Sequence, residues 1–351
     1  MIQKGYGCAF GGGTIINAIA AWKGGAFATE MKTYAQVILE PDNAGPGSGN
    51  GTVSGVRSDS KSGAGIPSVS GLNLNDISMN PYLTERCVEI VFEKFDVSKS
   101  ARVMTKSDIP AAGGLKSSSA AANSCVLAAL DALGYLNEIG AEKSVDPLEV
   151  VKWGVAAAKD AKVTITGAFD DACASFFGGV ALTDNKKMEL IKNEPFDYDV
   201  LIFNPNQKAH SADTNVARSV LLKDLVEMAF DLAKDGQYEK AMKLNGLLYC
   251  GALAFSPEPA LSCMELGQEF GIVSGLSGTG PSFIALFPKG KTETDVQKLN
   301  QIKNDVRSKW ISLYLDCRIF DTKTCNRDAV SESLSFSEKM KVEQKDLTDL
   351  V

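Results

Sequence analysis

The chain has 351 residues, of which 44% are hydrophobic and 23% charged, with a formal net charge of −7. This length and balance suit two domains, or one large one, with a sizeable buried core. The acidic charge argues against a nucleic-acid-binding surface, and no apolar run approaches the ~20 residues that cross a bilayer.

From the N-terminus, MIQKGYGCAFGGG lacks the apolar stretch of a signal peptide, so a cytoplasmic protein without a membrane partner is expected. A first helix carrying Thr14 and Asn17 is expected beside the triple glycine. Residues 26–41 partly alternate and end at a proline, as a strand does. Residues 42–71 are dense in Gly and Ser and read as a long loop or insertion. NPYLTERCVEIVFEKF has helical spacing, and SSSAAANSCVLAALDALG predicts a helix with a serine N-cap and Gly134 as its stop. The next helix is signalled by Asp146 as cap and Pro147 in its first turn. VTITG reads as a short strand, AFDDACASFFGG as a short helix, and GVALTDN and YDVLIFNPN as strands. Helices follow near 213–235, 237–255 and 259–270, then a strand, glycine turn and strand in GIVSGLSGTGPSFIALFP. DVQKLNQIKNDVRSKW is helical, ISLYLDCRIFD a strand, and the last twenty or so residues a peripheral helix or tail. Without a strict βαβα rhythm, the pattern predicts α+β layers.

Eight cysteines occur without a CxxC pair, several inside apolar segments, and read as small buried hydrophobes. The single histidine, His210, has no nucleophile motif around it and reads as a surface or loop residue.

The chemistry concentrates in IPAAGGLKSSSAAANS, residues 109–124. A Walker loop needs Gly directly before Lys and Gly at its start; here Leu115 precedes Lys116 and Pro110 takes the first position. The physical logic of phosphate binding survives. Gly113 and Gly114 allow close backbone approach, and Ser117, Ser118 and Ser119 begin a helix whose N-terminus favours an anion. Serine hydroxyls also suit Mg²⁺. A glycine turn before an ordinary Ala-rich helix is the competing reading.

Pro110-Ala-Ala-Gly-Gly114-Leu115-Lys-Ser117-Ser118 resembles the P-x3-G-L-x-S-S loop of the GHMP kinases. GLSGTGPS (275–282) resembles their C-terminal glycine motif, and TGAFDDACASFFGG (166–179) the segment that carries a catalytic aspartate. With GGGTIINAIAAWKGGAFATEMK near the start and VTITGAFDDACASFFGGVALTDN, the chain is similar to the archaeal-type shikimate kinase family over roughly residues 4–40 and 80–330. Residues 42–71 and the C-terminal tail find no counterpart.

The resemblance implies a GHMP kinase fold. Its N-terminal domain (1–190) would be like ribosomal S5 domain 2 and carry the 42–71 insertion; a ferredoxin-like domain (191–330) and a tail (331–351) would follow. It implies ATP and Mg²⁺ as cofactors and shikimate as substrate. Asp170 is the implied general base, with its neighbour Asp171 the competing choice: adjacent carboxylates on a helix diverge, so at most one faces the reaction. Ser118 matches the metal-binding serine, and Asp160 stands near the second ligand's place. Lys116 either neutralises phosphate charge or points to solvent. The basic residue that several GHMP kinases keep in the N-terminal motif is missing from GYGCAFGGG; Lys23 either supplies that charge beside the aspartate or, like Arg102, binds the substrate carboxylate. Thr14, Asn17, Ser277, Gly278 and Thr279 are the remaining substrate candidates. Homoserine kinase, mevalonate kinase and a non-catalytic metabolite sensor on the same fold are the alternatives.

Overall fold

Two long strands open the structure, β1 (Lys4–Ile16) and β2 (Lys23–Leu39), paired antiparallel with register shifts between Phe10 and Gly12 and between Thr14 and Ile16. The helix expected around Thr14 and Asn17 does not form: Thr14 lies in β1, two residues before its end, and Asn17 follows directly after the strand. Three consecutive glycines oppose a helix, where each is worth about 1 kcal/mol less than alanine. The computed structural model describes residues 3–40, 68–74, 80–140, 145–205 and 214–350. His210 and nearly all of the 42–71 stretch lie outside them.

β2 organises the first sheet. β1 pairs along its length, while β4 (Ala101–Ser107) and β5 (Val180–Asp184) pair with opposite ends of β2. β3 (Val69–Asn73) adds parallel to β4, and β6 (Glu189–Glu194) adds antiparallel to β5. Four helices share a core with this sheet: α1 (Pro81–Lys94), α2 (Ser117–Leu133), α3 (Pro147–Asp160) and α4 (Phe169–Phe177). α1 and α3 start as their sequences direct. Asn80 and Asp146 accept hydrogen bonds from the Tyr82 and Leu148 N–H groups, with proline in each first turn. α2 is buried along most of its length and lies so close to β1 that a Cβ on Gly7 would overlap the Ser124 carbonyl.

The second sheet is wholly antiparallel, in the order β10-β7-β9-β8, from β7 (Asp199–Pro205), β8 (Val273–Leu276), β9 (Phe283–Phe287) and β10 (Cys317–Lys323). It packs with α6 (Lys223–Lys234), α7 (Tyr238–Leu253), α8 (Glu258–Leu266) and α9 (Glu293–Leu313) around a fully buried Trp310. The single helix expected near 213–235 is interrupted after a short α5 (Val216–Val220), and the strand expected from Ile311 begins only at Cys317 because α9 runs through Leu313.

Two further expectations change. VTITG is not a strand but irregular chain, with Gly167 at φ 90° and Ala168 at φ 47°. The C-terminal segment is not peripheral: α10 (Ala329–Val342) packs on β1, where buried Ser333 accepts the Cys8 N–H at 2.8 Å and donates to the Cys8 carbonyl at 3.1 Å. Asp131 of α2 fastens the same helix through Ser337 (2.6 Å) and Lys341 (2.8 Å). All eight cysteines carry free thiols, seven of them buried.

Candidate active site

The glycine loop between β4 and α2 is gripped from both sheets. Gly114 adopts φ 76°, and a side chain there would overlap the Ser277 carbonyl oxygen. Ser277 Oγ donates to the Gly114 carbonyl at 2.8 Å, and the Gly12 N–H donates to the Leu115 carbonyl at 3.1 Å. Gly113 faces Asn204, which donates to Ser282 Oγ at 2.9 Å. Pro110 and Leu115 are buried. Lys116, not a serine, occupies the N-cap of α2, with φ 67° and no side-chain cap. The first N–H groups of α2, on Ser117, Ser118 and Ser119, therefore lack helical partners and form a positive end suited to an anion.

Across from this loop, the irregular 163–168 segment leads into α4, whose first turn holds Asp170 and Asp171. Asp170 is 4% exposed and accepts a 2.8 Å hydrogen bond from Asn185 Nδ2. Thr183 fixes that asparagine by donating to its Oδ1 at 2.6 Å. Gly24 gives the carboxylate its room: a Cβ there would stand 2.5 Å from Asp170 Oδ2. Burial and the neighbouring Asp171 charge push the Asp170 carboxyl up to about 7, against the opposing pull of Lys116 and Asn185. Both carboxylates border the same cavity, against the expectation that at most one would, but they take different partners. Asp171 meets Lys116 Nζ at 2.6 Å. The same ammonium donates to Thr14 Oγ1, which also accepts the Gly278 N–H at 2.8 Å.

These groups border a solvent-open cavity lined by Thr14, Lys116, Thr164, Thr166, Asp170, Asp171 and Thr279, among others. Its walls thus carry four threonine hydroxyls, one ammonium and two carboxylates. Asn17 and Gly278 also line it, but the Asn17 side chain is spent on the fold: Nδ2 donates to the Gly278 carbonyl at 2.9 Å and Oδ1 accepts the Ile19 N–H at 3.0 Å.

Several expected site residues lie elsewhere. Lys23 is partly exposed, 3.5 Å from Glu227, and does not line the cavity. Arg102 is exposed on β4 and 3.9 Å from Glu40. Asp160, at the end of α3, is bonded by Arg86 Nε at 2.8 Å and does not line the cavity either. Ser277 supports the glycine loop rather than the cavity. In each case residue type and chain position were suitable, but the side chain projects from a different face. Asn185, Thr166 and Gly24 join the site without a motif to mark them, apart from the place of Asn185 at the end of GVALTDN.

The GHMP kinases N terminal domain family model matches residues 82–179. A shikimate kinase of Methanosarcina acetivorans is 48% identical, the match covering 94% of this chain and 97% of that protein. One from Halobacterium salinarum is 40% identical, covering 78% of this chain and 85% of that protein. Among solved structures, a homoserine kinase from Cytophaga hutchinsonii aligns with TM-score 0.61 at 14% identity, covering 92% of this chain and 96% of that one. A Methanococcus jannaschii mevalonate kinase aligns with TM-score 0.59 at 14% identity, covering 92% and 98%. At such identity these structures speak for the fold alone: an α+β kinase fold.

Proposed function

Since the chain belongs to the shikimate kinase family within the GHMP kinases, we propose that it transfers the γ-phosphoryl group of ATP to the 3-hydroxyl of shikimate. The products are ADP and 3-phosphoshikimate, and the hydroxyl proton is released. The observation that carries this reading is Asp170: a buried carboxylate, held by Asn185, opening on a hydroxyl-lined cavity beside an uncapped helix N-terminus.

Phosphoryl transfer asks a protein mainly for alignment and charge. The free N–H groups at the start of α2 receive the phosphates, and Lys116 supplies positive charge next to them. Asp170 takes the proton of the attacking hydroxyl, and a base titrating near 7 is well matched to that task. Thr14, Thr164, Thr166 and Thr279 suit a ring substrate bearing three hydroxyls, and Lys116 is the one cation among the residues that line the cavity.

Mg²⁺ fits this site in part. Ser118 is half-buried on the first turn of α2 and can offer its hydroxyl, whereas Asp160 is held by Arg86 and does not fit. Mg²⁺ usually keeps several waters and takes few protein ligands when it accompanies a nucleotide, where it neutralises phosphate charge. No helix among the described residues is long and apolar enough to cross a membrane. A cytoplasmic location agrees with the free, buried thiols.

The test is a substrate panel. Purified protein with ATP and Mg²⁺ should release ADP with shikimate and not with homoserine, mevalonate or galactose; release with one of those instead overturns the substrate assignment.

A further inference from the structure

The ion pair inside the cavity is more deeply buried at its lysine than the Lys303–Asp199 or Lys32–Glu332 pairs. The Lys116 side chain is 4% exposed, and its ammonium joins three segments: Thr14 at the end of β1, the glycine loop that carries it, and Asp171 on α4. Its backbone sits at φ 67°, a left-handed conformation that costs a non-glycine residue about 1–2 kcal/mol. Such strain persists where the surroundings impose it, and it clusters at functional sites. Here it turns the side chain inward, onto the carboxylate next in the chain to Asp170.

Other charged or titratable groups near Asp170 are engaged elsewhere or lie outside the cavity lining. From β2, Lys23 is paired with Glu227. From β5, Asp184 accepts the Lys186 and Lys187 N–H groups at 3.0 Å. From α3, the Lys159 ammonium stands against Gly167, 3.2 Å from where a Cβ would be. From α7, the Tyr249 hydroxyl is bonded to the backbone of Asn17 and Ala20, and burial raises both it and the Cys173 thiol of α4, keeping them uncharged. Asp171 and Lys116 are therefore the two charges that share the cavity with Asp170.

We propose that Lys116 and Asp171 act as one positioning unit for Asp170, two opposed charges that together decide whether that carboxylate is ionised at working pH. Asp171 favours its protonated form and Lys116 its ionised form. Removing either one must move Asp170 in opposite directions, an outcome that loss of packing does not produce. The catalytic consequence rests on Asp170 being the base; the electrostatic control does not.

The experiment titrates the carboxyl itself. Protein labelled with ¹³C at the aspartate carboxyls is followed by NMR without ligands, and the Asp170 signal is assigned by its loss in Asp170→Asn. Wild type should titrate near 7. Lys116→Met should move the midpoint up, and Asp171→Asn should move it down, each by about one pH unit or more. Lys116→Arg should stay near wild type. Shifts of both charge-removing variants in one direction, or of neither, overturn the proposal. Thermal melts check folding; if Lys116→Met does not fold, the downward shift in Asp171→Asn and the unmoved Lys116→Arg decide the matter. The acid limb of kcat/KM for shikimate should follow the same order. If the NMR midpoints move as expected while the kinetic limb stays fixed, the pair is upheld and Asp170 is not the base.

Discussion

Helices α2 and α4 begin alike and end up doing opposite things. Each starts after a non-glycine residue in the left-handed region, Lys116 at φ 67° and Ala168 at φ 47°, and neither has a side-chain cap. Each therefore presents unpartnered N–H groups and the positive end of its dipole. The first turn of α2 contains no acidic residue, whereas that of α4 holds Asp170 and Asp171. In the proposed reaction the positive end of α2 would receive a phosphate, whereas that of α4 is taken by the protein's own carboxylates. A helix N-terminus alone would ease ionisation, yet burial and the adjacent charge outweigh it and hold Asp170 at about 7. One backbone device makes an anion seat or a proton seat, according to the first-turn residues.

Two glycines allow each half of this contrast to be broken separately. On the α4 side, Gly24→Ala places a methyl group 2.5 Å from Asp170 Oδ2. The carboxylate must shift, and turnover should fall about 10²-fold, the order expected of a misplaced catalytic group. The KM for ATP should hardly change, as steady-state kinetics would show. On the α2 side, Gly114→Ala forces a side chain into φ 76° and against the Ser277 carbonyl. Stability should drop by about 1–2 kcal/mol from backbone strain alone, and the KM for ATP should rise about tenfold, equivalent to about 1.4 kcal/mol of binding.

Stability against pH sharpens the contrast from another side. The Asp170 carboxyl titrates near 3.8 when unconstrained and near 7 in the fold. Between those values the folded protein binds more protons than the unfolded chain, so this group's contribution falls as pH rises and levels off above about 7. Asp170→Asn removes the penalty. Its stability relative to wild type should improve by more than about 1 kcal/mol from about pH 5 to about pH 8, measured by denaturant unfolding. The smallest effects belong to the cations outside the cavity. Lys23→Ala and Arg102→Ala should leave kcat and KM within about twofold, because both pairs are partly exposed and such pairs contribute little.

What could be read from the chain follows the reach of its signals. The loop at 110–119 and the aspartates after TGAF are local patterns, and the structure puts each at the start of a helix. Asp146 and Gly134 likewise bound their helices as their chemistry demands. The Lys116–Asp171 contact depends on the starts of α2 and α4 coming together in the fold, and nothing within either segment announces it. VTITG departs from its expected strand because β-branched residues favour strands only where a partner edge exists, and here the segment bends to form part of the cavity wall. Polar sequence likewise concealed how the C-terminal helix packs: Ser333 and Ser337 are buried because they bond to Cys8 and Asp131, distant in the chain.

The central claim is that Asp170, and not its neighbour, takes the proton during transfer from ATP to shikimate. Single-turnover phosphoryl transfer by Asp170→Asn and Asp171→Asn, at saturating ATP and shikimate and high pH, tests it most directly. The expected result is a loss of about 10²-fold or more in Asp170→Asn with ATP binding retained, and a clearly smaller loss in Asp171→Asn. An active Asp170→Asn beside an inactive Asp171→Asn would contradict it.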